Sequence, residues 1–141
     1  MSLYAESSAV LAWLLDEASG NSVREALAAE QIVVASDLTL LECDRVLRRA
    51  AALGELTEAD AADRRAHLSI VAAHWVLLRI SEEIVDRARK PFPSEPIRTL
   101  DAIHLASLLV ARAALPGLAL LSLDSRIRTA ASSLGIALVP S

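Results

Sequence analysis

The segment over residues 118–139, LALLSLDSRIRTAASSLGIALV, has the pattern of two strands with a helix between them and therefore indicates the fold class. Its apolar ends predict strands over residues 118–123 and 136–139. Residues 125–134 fit a helix, and Gly135 is a typical stop at the end of a helix. A helix that joins two strands indicates a right-handed crossover, so the two strands are expected to run parallel.

The same alternation of strand and helix continues through the rest of the chain. Further strands are predicted over residues 3–5, 32–35 and 75–80, although residues 75–80 also fit a helix. In the first half of the chain, helices are predicted over residues 9–15, with Ser7 or Ser8 as the cap, from Asn21 or Ser22 onward, and over residues 39–53, which Gly54 ends. In the second half, helices are predicted over residues 57–73, which begin with a Thr57–Asp60 capping box, over residues 81–89, with Ser81 as the cap, and over residues 100–114. This order predicts a helix-rich α/β fold, a three-layer α/β/α sandwich around a parallel sheet. The absence of repeats and linkers predicts a single domain over residues 1–141.

Composition narrows the classes of protein to which the chain can belong. Its longest run without a charge, residues 66–78, is shorter than the roughly 20 residues that a membrane span requires. The N-terminus lacks the basic start of a secretory signal, and Cys43 is the only cysteine, so we expect a cytoplasmic protein without disulfides. The net charge of −4 argues against a DNA-binding module with a broad cationic surface. It does not exclude a nuclease, because bound divalent cations can invert the local charge.

Acidic residues fall just after predicted strands or early in the helices that follow them. Glu6 follows the first strand, Asp37 the second and Asp124 the fourth, while Glu42 and Asp101 lie near the starts of helices. Ligands of open α/β sheets bind beyond the carboxyl ends of the strands, so several of these side chains are expected to face one site.

Each acid also has an ordinary structural explanation. Asp101 lies in an almost wholly apolar helix, where it interacts either with the helix dipole or with a cation or metal. Glu42 could form an intrahelical ion pair with a nearby arginine, and Glu6 and Asp124 could be helix caps. Together, however, four carboxylates without a cation would repel one another and raise their pKa values. Mg²⁺ or Mn²⁺ would relieve that repulsion through oxygen coordination.

Four segments carry a resemblance to a known family: LYAESSAVLAWLLDE (3–17), SDLTLLECDRVLRR (36–49), RTLDAIHLAS (98–107) and LLSLDSRIRTAASSLGI (120–136). The chain resembles the PIN-domain ribonucleases, and among them the VapC-like toxins of bacterial toxin-antitoxin pairs. The resemblance implies an endoribonuclease that requires Mg²⁺ or Mn²⁺, with Glu6, Glu42, Asp101 and Asp124 as catalytic and metal-binding residues. It also implies a homodimer and an antitoxin that inserts a peptide into the acidic site. The family's first acid is usually Asp, and this chain has Glu6 in its place.

Two other functions remain open beside the ribonuclease. Glu6 could weaken metal binding enough to leave a weakly active or inactive PIN-like protein that binds RNA or the antitoxin. A phosphoacceptor or phosphatase domain is disfavoured, because the first strand ends without an Asp-x-Asp pair.

Several other polar residues lie near the acids along the chain. Ser7 and Ser122 are placed to hydrogen-bond a carboxylate, although capping and strand-end roles are more common. Arg98 and Arg126 are candidates for contacts with RNA phosphates, although a solvated surface role is the more common one. His104 lies one helical turn beyond Asp101, and we interpret it as a packed, hydrogen-bonded histidine outside the site.

Overall fold

A computed structural model describes all residues, 1–141, of the chain. The strands are β1 (Ser2–Ala5), β2 (Ile32–Ser36), β3 (Val76–Leu78), β4 (Ala119–Leu121) and β5 (Leu138–Val139). The helices are α1 (Ser7–Leu14), α2 (Gly20–Ala29), α3 (Asp37–Ala52), α4 (Glu58–Ala72), α5 (Glu82–Ala88), α6 (Thr99–Ala114) and α7 (Ser125–Ser133). None of the helices combines the length and the apolar character needed to cross a membrane.

The strands form one sheet in the order β3-β2-β1-β4-β5, and every neighbouring pair is parallel. Successive side chains of a strand point to opposite faces of the sheet. Leu3 and Ala5 of β1 accordingly belong to one hydrophobic core with residues of α1, α2, α3 and α4. Tyr4 belongs to a second core with residues of α6 and α7. The predicted three-layer α/β/α sandwich is therefore confirmed.

The direction in which the sheet grows changes between β1 and β4. From β1 the chain builds outward through β2 to β3, and it then returns to add β4 and β5 on the other side of β1. The backbone N–H of Glu6 donates to the carbonyl of Leu121 at 3.0 Å, which joins the ends of these two strands. A crevice at such a switch point is where ligands of open α/β sheets bind.

Local details differ from the sequence-based expectations at several element ends. Helix α1 is capped by Glu6 and not by Ser7 or Ser8, because the longer Glu6 side chain folds back onto the backbone N–H of Ser8. The capping box predicted at Thr57 is incomplete, since Thr57 accepts from the N–H of Asp60 but the Asp60 side chain does not bond back to Thr57. A complete capping box occurs instead at the start of α3, between Ser36 and Thr39.

Candidate active site

Glu6 lies at the carboxyl end of β1, and its carboxylate is buried, with only 4% of the residue exposed. Its Oε2 accepts from the backbone N–H of Ser8 at 2.9 Å. Its Oε1 accepts from the hydroxyls of Ser8 and Ser122, both at 2.5 Å. These donors fix a buried negative charge at the switch point of the sheet.

Asp124 lies after β4 and caps α7. Its Oδ1 accepts from the backbone N–H groups of Arg126 at 2.9 Å and Ile127 at 3.2 Å, while Oδ2 accepts no hydrogen bond. Ser122 connects this residue to Glu6, because its hydroxyl accepts from the Asp124 N–H at 3.1 Å and donates to Glu6. The loop after β4 therefore holds two of the four predicted acids in one arrangement.

Glu42, in the second turn of α3, is held by side chains from two other helices. Its Oε1 accepts from the Ser7 hydroxyl and from Nε2 of His104, each at 2.6 Å. Burial acts to raise the pKa of Glu42, but the hydrogen bonds from His104 and Ser7 outweigh it and the pKa is lowered. The expectation of raised pKa values thus fails for Glu42, because donors already stabilise its charge.

His104 is 2% exposed and connects Glu42 to the interior. Because Nε2 faces a carboxylate, it donates to Glu42, and the hydroxyl of Tyr4 lies 3.0 Å from Nδ1. The prediction of a packed, hydrogen-bonded histidine is correct. Its partner could not be predicted, because Glu42 lies 62 positions away in the chain.

Asp101, in the first turn of α6, is half-buried and forms neither a hydrogen bond nor a salt bridge. Burial raises its pKa, and the negative charges of Asp124 and Glu6 raise it further. Positive charge from His104 and Arg98 offsets only part of this rise. The pKa of Asp101 therefore depends on the charges of both acids that follow β1 and β4.

The structure places the four predicted acids in two connected groups. After burial, the charges of Asp124 and Glu6 are the causes that raise the pKa of Asp101. Glu42 is connected to this group by two hydrogen bonds. One comes from Ser7, which follows Glu6 in the chain, and the other from His104, which lies one helical turn after Asp101. Asp37, the remaining acid near a strand end, is exposed in the first turn of α3. Both serines singled out from the sequence do hydrogen-bond a carboxylate: Ser7 to Glu42 and Ser122 to Glu6.

The carboxylate groups of these four acids fit a hard divalent cation, which prefers oxygen ligands. Oε2 of Glu42, Oδ2 of Asp124 and both oxygens of Asp101 accept no hydrogen bond from the protein. In their present positions no three His, Cys, Asp or Glu side chains form a group that could hold a metal ion. Several of these carboxylates are instead turned toward local hydrogen-bond donors.

Comparison with known proteins gives consistent results. The PIN domain family matches residues 3–133 of the chain. Ribonuclease VapC46 of Mycobacterium tuberculosis is 35% identical over 137 residues, which covers 97% of this chain and 95% of that protein. The crystal structure of M. tuberculosis VapC20, a toxin that cleaves the sarcin-ricin loop, superposes with a TM-score of 0.64 at 13% identity, covering 91% of this chain and 94% of that one. A toxin-antitoxin complex from Klebsiella pneumoniae gives 0.62 at 17% identity, covering 99% and 96%.

Proposed function

The chain belongs to the PIN domain family, and from this premise we propose that it is a ribonuclease that hydrolyses RNA phosphodiester bonds. The relative that is 35% identical over nearly the whole chain is a VapC ribonuclease, which favours an active enzyme over an inactive RNA-binding or antitoxin-binding protein. The biological role that we propose is that of the toxin in a toxin-antitoxin pair.

One observation about Asp101 carries the proposal. The Asp101 carboxylate is half-buried, accepts no hydrogen bond and lies near the charges of Asp124 and Glu6. Keeping it ionised there costs free energy of folding unless a cation binds. Structural carboxylates are normally paired, and perturbed acids in a crevice are common at functional sites. A bound divalent cation would relieve this repulsion.

We propose that Glu6, Asp101 and Asp124 hold the cation, with Glu42 as a further ligand or as an acid that orients its surroundings. Ser122 would keep the carboxylate of Glu6 in place, and Ser7 with His104 would do the same for Glu42. The ion would be Mg²⁺ or Mn²⁺, and when bound it supplies charge neutralisation at the phosphate and activation of water. The carboxylates themselves can orient water for attack on the phosphorus and can accept its proton.

The proposal extends to partners and location. We propose a cognate antitoxin that covers the acidic site, a homodimer and a cytoplasmic location, with residues 1–141 forming a single domain. Support for the antitoxin comes from the similarity in fold to a toxin-antitoxin complex.

An RNA cleavage assay with three proteins tests the activity. The wild type should cleave single-stranded RNA with Mn²⁺ or Mg²⁺ and should lose this activity in EDTA. Asp101→Asn should lose about 100-fold or more in rate, because the substitution removes a charge that contributes several kcal/mol of electrostatic stabilisation. Asp63→Asn, which neutralises an exposed acid on α4, is the matched control and should retain activity. Equal cleavage by the wild type and Asp101→Asn would exclude the proposed site.

A further inference from the structure

We propose that a groove beside Asp101 binds the RNA backbone next to the cleaved phosphate, with Arg98 and Arg126 contacting phosphates on that side. This inference rests on the proposed ribonuclease function and adds to it the surface that positions the strand. Arg98 immediately precedes α6 and Arg126 lies in the first turn of α7, so they approach the groove from two elements.

The groove has a volume of about 650 Å³ and is formed mainly by residues of polar or charged type. Such a volume falls within the usual range of ligand sites and exceeds what a single ion requires. Only one of its nine lining residues is hydrophobic. The polar lining residues include Arg98, Arg126, Ser94, Ser125, Thr129 and, at the candidate metal centre, Asp101. A strand lying in the groove would therefore reach the cluster of acids.

The guanidinium groups of Arg98 and Arg126 are not engaged in direct bonds within the protein. Both are exposed, and neither side chain forms a hydrogen bond or a salt bridge. By contrast, Arg64 and Arg128 donate to the carbonyls of Leu14 and Ser122. In a chain with a net charge of −4, two unpaired guanidinium groups beside an acidic site fit an anionic ligand.

The loop that forms one wall of the groove is held in place before any ligand binds. The carboxylate of Glu95 accepts from the backbone N–H groups of Phe92 at 2.8 Å and Ile97 at 2.7 Å. Phe92 is 5% exposed and packs beneath the guanidinium of Arg87, which lies 4.3 Å from the ring centre. A preorganised wall reduces the entropy lost on binding. The charge of Glu95 is directed at its own backbone and not at a ligand.

The lining also indicates which part of RNA the groove contacts. It contains guanidinium and hydroxyl groups but no aromatic side chain on which a base could stack. Arginine and hydroxyl groups of this kind commonly bind phosphates and position a nucleic acid without reading its sequence. We therefore expect the groove to act through the phosphates and to be insensitive to base identity.

The salt dependence of RNA cleavage tests the inference. Each phosphate contact in single-stranded RNA contributes about 0.7 to the slope of log affinity against log salt, which is roughly fivefold in affinity at 0.1 M. The double variant Arg98→Gln/Arg126→Gln should therefore raise KM about 25-fold at 0.1 M KCl and make the slope shallower by about 1.4, with kcat within about twofold. The double variant Arg98→Lys/Arg126→Lys keeps the charges and should retain most of the slope.

The matched control is Arg24→Gln/Arg49→Gln, which removes the same charge from exposed positions on α2 and α3. Its slope should equal that of the wild type, and the thermal midpoints of all variants should agree. If the wild type cleaves RNA but Arg98→Gln/Arg126→Gln keeps the wild-type KM and the wild-type salt dependence, the groove assignment is wrong and the ribonuclease function stands. If the wild type shows no metal-dependent cleavage, the proposed function and this inference both fail.

Discussion

Among single residues, Asp101 has opposite effects on the proposed function and on the stability of the fold. Its pKa is raised in the folded state by burial and by the charges of Asp124 and Glu6. A carboxyl group whose pKa is higher in the folded state binds more protons there, so stability falls as the pH rises above the group's ordinary pKa. At neutral pH without metal, the charge of Asp101 therefore destabilises the fold.

Asp101→Asn should raise the thermal midpoint in EDTA at pH 7, although it removes activity. The gain should shrink as the pH falls below the ordinary pKa of Asp, because the wild-type carboxyl is then neutral in both the folded and unfolded states. Thermal unfolding of wild type and variant between pH 3 and pH 8 measures the difference. Asp63→Asn serves as the control, and a variant that is less stable than wild type at pH 7 would refute this interpretation.

His104 supports the site from within the core. His104→Ala removes one hydrogen-bond partner from the Tyr4 hydroxyl and one from Oε1 of Glu42, which keeps Ser7, and it opens a cavity, so it should lower the free energy of unfolding by about 2–4 kcal/mol. Tyr4→Phe removes a single hydroxyl and should cost about 1–2 kcal/mol. Urea unfolding measures both. The exposed His67, which contacts Trp13 edge-on, provides the control, and His67→Ala should cost less than about 1 kcal/mol.

At the scale of elements, Asp124 combines a helix cap with a candidate metal ligand, and two substitutions separate these roles. Asp124→Ser keeps an oxygen for the N–H groups of Arg126 and Ile127, so its stability should stay within about 0.5 kcal/mol of the wild type. Asp124→Ala loses the cap and should cost about 1 kcal/mol. Both variants should lose RNA cleavage, measured beside denaturant unfolding. Full activity in Asp124→Ser would mean that only the cap matters.

The types of the elements could be predicted because each depends on a local pattern. Alternating apolar runs and stop signals such as Gly54 and Gly135, both with φ of +74°, mark strands and helix ends that the structure contains. The sequence left Glu6, Ser7 and Ser8 as possible caps of α1, and the structure uses Glu6, whose carboxylate also accepts from Ser122, more than 100 positions away. Interactions of that range leave no local signal in a single sequence.

For the molecule as a whole, the order of the strands determines that Glu6 and Asp124 lie close together. The reversal between β1 and β4 brings the residues after both strands to one crevice, and a single sequence does not reveal this order. Positions that follow strands could be identified as candidates, as Glu6 and Asp124 were. The hydrogen bond between Glu42 and His104 could not, because it depends on how α3 and α6 pack.

Calorimetric titration with Mn²⁺ in the absence of RNA measures whether acids from distant parts of the chain share one divalent cation. The wild type should bind the ion, and Asp101→Asn should weaken the affinity at least about tenfold, since removal of a supporting group alone has effects of this size. Asp63→Asn should bind as the wild type does. An affinity for Mn²⁺ that is the same in the wild type and in Asp101→Asn would mean that Asp101 does not hold the cation and that the acids do not form a shared metal site.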